Sequence, residues 1–280
     1  MRLEELYTGV VFVFTHFSNP MKRLMKKLSL ILAAVLFLTL FSFLSAQEGR
    51  QRPEREPNTL SEREKTAGFE LLFDGKSVDK DIWQGAVDGY KPVDETLVCE
   101  PGGNLVTKKE YADFVFRFEF KLPPAGNNGI GIRTKLDANG AYDGHEIQIL
   151  EDTAEQYKNL EPYQFHGSVY RFVPAIRGSL NPVGEWNTEE IVVYGNKIKV
   201  ICNQKVIVDA DMTEFVEGIK PPMDGAKHIF NKSGVIGFMG HGDPVVFRSI
   251  RIKELKDETE ANRYLSNERR GGQGRPQRER

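Results

Sequence analysis

The sequence predicts an all-β domain, a sandwich or jelly roll. Three observations carry this: a strictly alternating apolar stripe at 113–122, a succession of short β-type runs separated by Gly- and Asn-containing turns, and helical periodicity confined to short pieces. In DFVFRFEFKL (113–122), Phe114, Phe116, Phe118, Phe120 and Leu122 fall on one face, and Val115, Arg117, Glu119 and Lys121 on the other. A period of two with one apolar face is a strand lying on a core. Further strands are expected at 129–135, 144–151, 189–194, 196–202, 204–209, 233–240 and 244–253. Gly195-Asn196 and Asn203-Gln204 read as tight turns. Short helical pieces are expected at 152–158 and 211–216, and there is no internal repeat.

The flanks set the domain limits. Residues 1–46 read as an N-terminal extension followed by a signal peptide. Met21, Lys22, Arg23, Lys26 and Lys27 form a basic start, Leu28 to Leu44 is a nearly unbroken apolar run, and Ser45-Ala46 supplies small residues for cleavage. The run is at the short edge of a spanning helix, so the expectation is cleavage with no stable membrane insertion. Met21 is then the expected working start. No Cys follows the run to receive a lipid, which points to the periplasm or secretion. Residues 47–66 read as a charged disordered linker, 67–255 as the folded domain and 256–280 as a charged disordered tail. The net charge of −2 offers no field for nucleic acid or an anionic membrane. Cys99 and Cys202 are the only cysteines; an oxidising compartment would allow them to pair, but both lie within strand-like segments and the preferred reading is buried and unpaired.

Strand alternation also sorts polar residues. With Ile130, Ile132, Ile147, Ile149, Ile236 and Phe238 facing the core, Arg133, Glu146, Gln148 and His241 are expected on the opposite face. Gly129, Gly131 and Gly237 on that face leave room for a ligand against the sheet, and an open concave sheet face suits a sugar. His145 points to the core side. Asp243, two residues after His241 in HGDP, is placed either to orient it or to join it on a metal. If a divalent metal ion is present, its expected ligands are Glu146, His241 and Asp243; no cofactor is otherwise implied. The loop YQFHGSVY (163–170) adds His166 and Tyr170 as substrate-binding candidates. Trp186 reads as structural. No zinc-type spacing, phosphate loop or nucleophile elbow is present.

FELLFDGKSVD (69–79), YADFVFRFEFKLP (111–123), NNGIGIR (127–133), GHEIQILED, YQFHGSVY, GEWN and SGVIGFMGHGDPVVFRSIRIKEL occur in this order. As a set they resemble the domain of unknown function numbered 1080, described as 3-keto-disaccharide hydrolases or 3-keto-glucoside lyase/hydratases. The resemblance covers 67–255. It implies a concanavalin A-like jelly-roll β-sandwich with a pocket at Arg133, Glu146, Gln148 and the His241–Asp243 pair. Related sequences often carry Gln where this one has Met239. The implied substrate is an oligosaccharide or glycoside, 3-keto-oxidised by a separate oxidoreductase. The implied reaction is removal of the C2 proton, β-elimination of the C1 substituent and hydration, with Glu146 or His241 as base and acid and Arg133 at the enolate oxygen. Two other readings use the same face: a carbohydrate-binding module without catalysis, and a conventional glycoside hydrolase pairing Glu146 with Glu151, Asp152 or Asp243.

Overall fold

The computed structural model of the chain describes residues 56–135, 143–216 and 231–266. The expected signal peptide and the N-terminal part of the expected linker lie outside these residues. Among the described residues no helix is long and apolar enough to cross a membrane. The strands, in chain order, are β1 (Glu70–Leu71), β2 (Trp83–Gly85), β3 (Tyr90–Val93), β4 (Thr96–Cys99), β5 (Gly103–Thr107), β6 (Phe114–Lys121), β7 (Asn127–Thr134), β8 (His145–Leu150), β9 (Trp186–Tyr194), β10 (Lys197–Cys202), β11 (Lys205–Asp211), β12 (Val235–Gly240) and β13 (Val246–Glu254). The α-helices are α1 (Glu62–Ala67), α2 (Met212–Val216) and α3 (Glu258–Leu265).

Two antiparallel sheets form a jelly-roll sandwich. The larger runs β11-β10-β9-β6-β13-β4-β3, with β1 also on β13; the smaller runs β2-β5-β12-β7-β8. The phenylalanine stripe of β6 supplies the middle of the core. Phe114, Phe116, Phe118 and Phe120 are fully buried and share one cluster with Ile130, Ile132, Ile147, Ile149 and Phe238 of the smaller sheet. Phe118 lies 6.4 Å from Phe238 and 6.1 Å from Phe247, both edge-on. Each buried phenylalanine contributes roughly 1.5–3 kcal/mol, so this stripe fixes which face of β6 turns inward.

Every strand expected from 113 onward is present within a few residues. Asn203 (φ 47°) and Gln204 (φ 67°) are both left-handed, the conformation of a two-residue hairpin turn. The five strands before residue 108 are two to five residues long, too short to show a period. Of the two expected helical pieces, 211–216 yields α2 and 152–158 only a 3₁₀ turn at Glu155–Tyr157. Cys99 and Cys202 are both free and buried.

The folded part is longer than expected at both ends, which corrects the linker and tail boundaries. Asn58 is buried and exchanges hydrogen bonds with Ser249: its N–H donates to the hydroxyl and its side-chain oxygen accepts from the Ser249 N–H. A capping box between Ser61 and Glu64 starts α1, and Gly68 in the left-handed region (φ 86°) ends it. The Asp257 side chain caps α3 by accepting from the Glu260 N–H. These flanking segments cover the outer face of the larger sheet, where Phe69, Val115, Val192, Leu255 and Ala261 form a second apolar cluster. Glu64 anchors the arrangement through Arg251 at 2.6 Å and Arg117 at 3.4 Å.

One expected alternation breaks. Val235 pairs with Thr134 and Gly237 with Gly131, so β7 carries one extra residue against β12. Arg133 sits in this bulge with φ 50°. Its guanidinium turns toward the end of the larger sheet. Nε donates to the Ala112 carbonyl at 2.8 Å, Nη1 to the Gly195 and Asn231 carbonyls at 2.7 and 3.3 Å, and Nη2 to Asp113 Oδ1 at 3.0 Å. Asp113 Oδ1 also accepts from the Gly195 N–H at 2.8 Å. Arg133 therefore clasps the two sheets together instead of joining Glu146.

Removing this buried guanidinium takes the donor away from the Ala112, Gly195 and Asn231 carbonyls and the charge partner away from Asp113. Arg133→Met is expected to lower the unfolding free energy by ~2–4 kcal/mol in a urea titration. A second outcome concerns acid. Burial alone would raise the Glu64 carboxyl, but Arg251 and Ser61 outweigh it and hold it at about 2. Its stabilising share is thus present above the ordinary carboxylate value and is lost as pH falls toward about 2. Glu64→Gln should flatten that acid limb of the stability curve.

Candidate active site

The outer face of the smaller sheet is built from one continuous row. Gln84 pairs with Val106, Val106 with Gly237, Gly237 with Gly131, and Gly131 with Glu146. The segment after the 3₁₀ turn Pro162–Gln164 adds a further edge to β8. Val169 bridges to Ile147, and the Tyr170 N–H donates to the Glu146 carbonyl at 2.8 Å. The row therefore ends with Tyr170 directly beside Glu146. In the next row Met239 pairs with Asn104, and Gly129 with Gln148.

The glycines serve a different purpose from that expected. A Cβ on Gly129 would lie 2.0 Å from Glu146 Oε1, and one on Gly131 would lie 2.3 Å from the Met239 methyl. The missing side chains make room for Glu146 and Met239, which lie flat across β7. Met239 packs there with Val106 and Val235 in a small apolar cluster. Glu146 is covered by its surroundings, with 7% of its surface exposed. No hydrogen bond or ion pair reaches its carboxyl among the described residues. Burial acting alone pushes its pKa up to about 7. A carboxyl poised near neutrality, with nothing in the protein holding it, suits proton transfer in either direction.

Gln148 is equally buried. Its amide donates to Asn127 Oδ1 at 3.0 Å, and the Asn127 N–H donates to Asp243 Oδ2 at 3.0 Å. Asp243 is therefore tied to this face through the start of β7, not through His241. His241 follows the last residue of β12 and is exposed. Among the described residues it makes no ion pair or hydrogen bond with Asp243. The Tyr170 hydroxyl accepts from the Gln164 amide at 3.1 Å, so its own hydrogen stays available to a ligand.

The structure thus gathers Glu146, Gln148 and Tyr170 on one face, with Asp243 linked behind them and His241 at the strand end. It turns Arg133 away. It also turns His166 inward: the ring is 3% exposed, 5.3 Å from the Phe120 ring and 3.3 Å from Glu189 Oε2, in the core between the sheets. Gly167 N–H and Gln148 N–H exchange backbone bonds with Gln148 and Ser168, which fixes 166 on the core side of this added edge. His145 packs edge-on against Phe172 on the core side, as expected. The ligand atoms of Glu146, His241 and Asp243 do not converge; among the described residues the one such convergence is His166, Glu189 and Cys202. Asn127 was not singled out from the sequence, although it shares the parity of Gly129 and Gly131.

The profile of the 3-keto-alpha-glucoside-1,2-lyase-like domain matches residues 68–253. This chain belongs to that family. A 3-keto-disaccharide hydrolase of Bacteroides thetaiotaomicron is 25% identical over 230 residues, covering 67% of this chain and 79% of the relative. Two crystal structures, each of a "putative glycosyl hydrolase" from Parabacteroides distasonis, share the fold. One is 24% identical with a TM-score of 0.59, over 72% of this chain and all of that one; the other is 28% identical with a TM-score of 0.58, over 67% and 99%. Membership in the lyase-like family supports a carbohydrate-active enzyme.

The elevated Glu146 pKa has a stability signature whose sign follows from linkage. The folded protein keeps this proton up to about pH 7, whereas the unfolded chain releases it near the ordinary value of 4.5. Stability contributed by this group therefore falls as pH rises between those values and levels off above about 7. Glu146→Gln, which cannot ionise, is expected to be more stable than the parent at about pH 8, with the advantage vanishing below the ordinary carboxylate value, as read by thermal melts across pH.

Proposed function

We propose that this chain is an exported enzyme that cleaves 3-keto-glycosides, with Glu146 as the proton-transfer group. The observation that carries the proposal is the Glu146 carboxyl itself: buried, without a protein partner, and poised near neutrality on a sheet face shared with Gln148 and Tyr170. Family membership narrows the substrate class, and the signal-like segment at 21–46 motivates the exported location.

A ketone at C3 acidifies the C2 hydrogen of a sugar. Ionised Glu146 takes that proton, and charge develops on the C3 oxygen. The Tyr170 hydroxyl, held from behind by Gln164, donates to that oxygen. The enolate then expels the C1 substituent; the C1–O bond breaks and the leaving oxygen takes a proton, a role assigned to His241 at the end of β12. Water adds its hydroxyl to C1 of the resulting unsaturated sugar and gives its other proton back to His241, and Glu146 returns its proton to C2. The net change is hydrolysis of the glycosidic bond. A positioned base contributes roughly 10²- to 10⁴-fold, and a donor at the developing oxyanion roughly 10²- to 10³-fold. The 3-keto group itself comes from a separate oxidoreductase.

A two-carboxylate glycosidase is disfavoured by the partners of the other acids. Glu151 accepts from the Ala125 and Thr153 N–H groups, Asp152 pairs with Arg177 at 3.6 Å, and Asp243 accepts from Asn127. Each is already held by the fold.

The deciding experiment incubates the protein with a 3-keto-glucoside and with its unoxidised parent, followed by product analysis. Cleavage of the keto sugar alone is expected, with kcat/KM rising through about pH 7 as Glu146 ionises. Glu146→Gln should lose at least roughly 10²-fold in kcat, and Tyr170→Phe a smaller factor. Cleavage of the unoxidised glycoside at comparable rate, or full activity in Glu146→Gln, would overturn the assignment. Binding of the keto sugar without any product would identify a carbohydrate-binding module.

A further inference from the structure

The core between the sheets contains a polar cluster that the proposed chemistry does not use. Glu189 on β9 and Cys202 on β10 are directly opposed across the strand pair. His166 reaches them from the segment docked on β8. Their ligand atoms all lie within 4.8 Å of one another. The three residues are 3%, 2% and 0% exposed, in the order His166, Glu189, Cys202.

Such a cluster is costly unless its polar atoms are satisfied. They are not satisfied by the protein. His166 Nε2 and both carboxylate oxygens of Glu189 are buried without a hydrogen-bond partner. The 3.3 Å approach of Nε2 to Glu189 Oε2 allows Coulombic attraction but is not aligned as a hydrogen bond. The Leu150 N–H points at His166 Nδ1 from 3.5 Å, too long to fix which ring nitrogen carries the proton. The Cys202 sulfur lies beside the His166 ring and makes a long 3.9 Å contact to the Ser179 carbonyl.

We propose that His166, Glu189 and Cys202 bind a divalent transition-metal ion of the zinc type, which braces the two sheets from within. One thiolate, one imidazole and one carboxylate are the donors such an ion takes, whereas calcium and magnesium take sets of oxygens. Around zinc, neighbouring donors stand about 3.5 Å apart, close to the separations within 4.8 Å found here. Charge balances as well. A thiolate and a carboxylate carry two negative charges, the imidazole is neutral, and the ion supplies two positive ones, so no net charge remains in the apolar core.

The test uses the full-length chain purified from zinc-supplemented cells. Elemental analysis should find one zinc per chain, retained in Cys99→Ser and lost in Cys202→Ser. Refolding the parent chain with cobalt should give thiolate-to-cobalt charge-transfer absorption. The parent spectrum decides the matter even if Cys202→Ser fails to fold. Melting temperature should fall when the protein is refolded with a chelator in place of the metal. Absence of zinc with no cobalt charge-transfer band, or zinc retained without any thiolate signature, overturns the proposal and leaves the cluster as a buried His166–Glu189 ion pair beside a thiol.

Discussion

The missing Cβ atoms of Gly129 and Gly131 set the geometry of the outer face on which the candidate site lies. The Glu146 carboxyl and the Met239 thioether occupy the volume that those carbons would take, at separations of 2.0 and 2.3 Å. Any side chain at either position would push Glu146 or Met239 off the strand and toward water. That would undo the desolvation on which the poise of Glu146 depends, because no other effect raises this carboxyl. The chemistry of one acidic group thus rests on backbone exposure two strands deep in a sheet.

The frame that holds this face is the phenylalanine stripe of β6 and its partners, and it was plainly visible in the sequence. Period-two alternation over ten residues leaves little freedom, and the strands from β6 onward appear where that pattern places them. The hairpin turn at Asn203-Gln204 was legible for a local reason, since both residues accept left-handed backbone. The strands before residue 108 were hidden because two to five residues cannot display a period. The flanking helices were hidden by composition. Residues 56–66 and 256–266 are charged enough to look disordered, yet Ser61 with Glu64 and Asp257 with Glu260 carry capping signals in the first turns.

Within the site, alternation succeeded where the ladder is regular and failed where it is not. Glu146 and Gln148 lie on the outer face because β8 pairs without interruption. Arg133 lies within a bulge, where one inserted residue breaks the alternation. The resemblance to known relatives also pointed to Arg133; a fully engaged guanidinium at that position is a structural element here. His166 could not be oriented at all, because a loop has no period. Only its docking on β8 decides that Tyr170 faces outward and His166 inward.

That docked segment has a bearing on the chain's behaviour among other molecules. β8 would otherwise be the last strand of its sheet, with a row of open donors and acceptors ready to template a foreign strand. The bonds from Gly167, Tyr170 and Gln148 occupy that row from within the same chain. At the opposite border, β2 is three residues long and offers little to pair with. The segment that brings Tyr170 to Glu146 therefore also closes the border at which a foreign strand would pair.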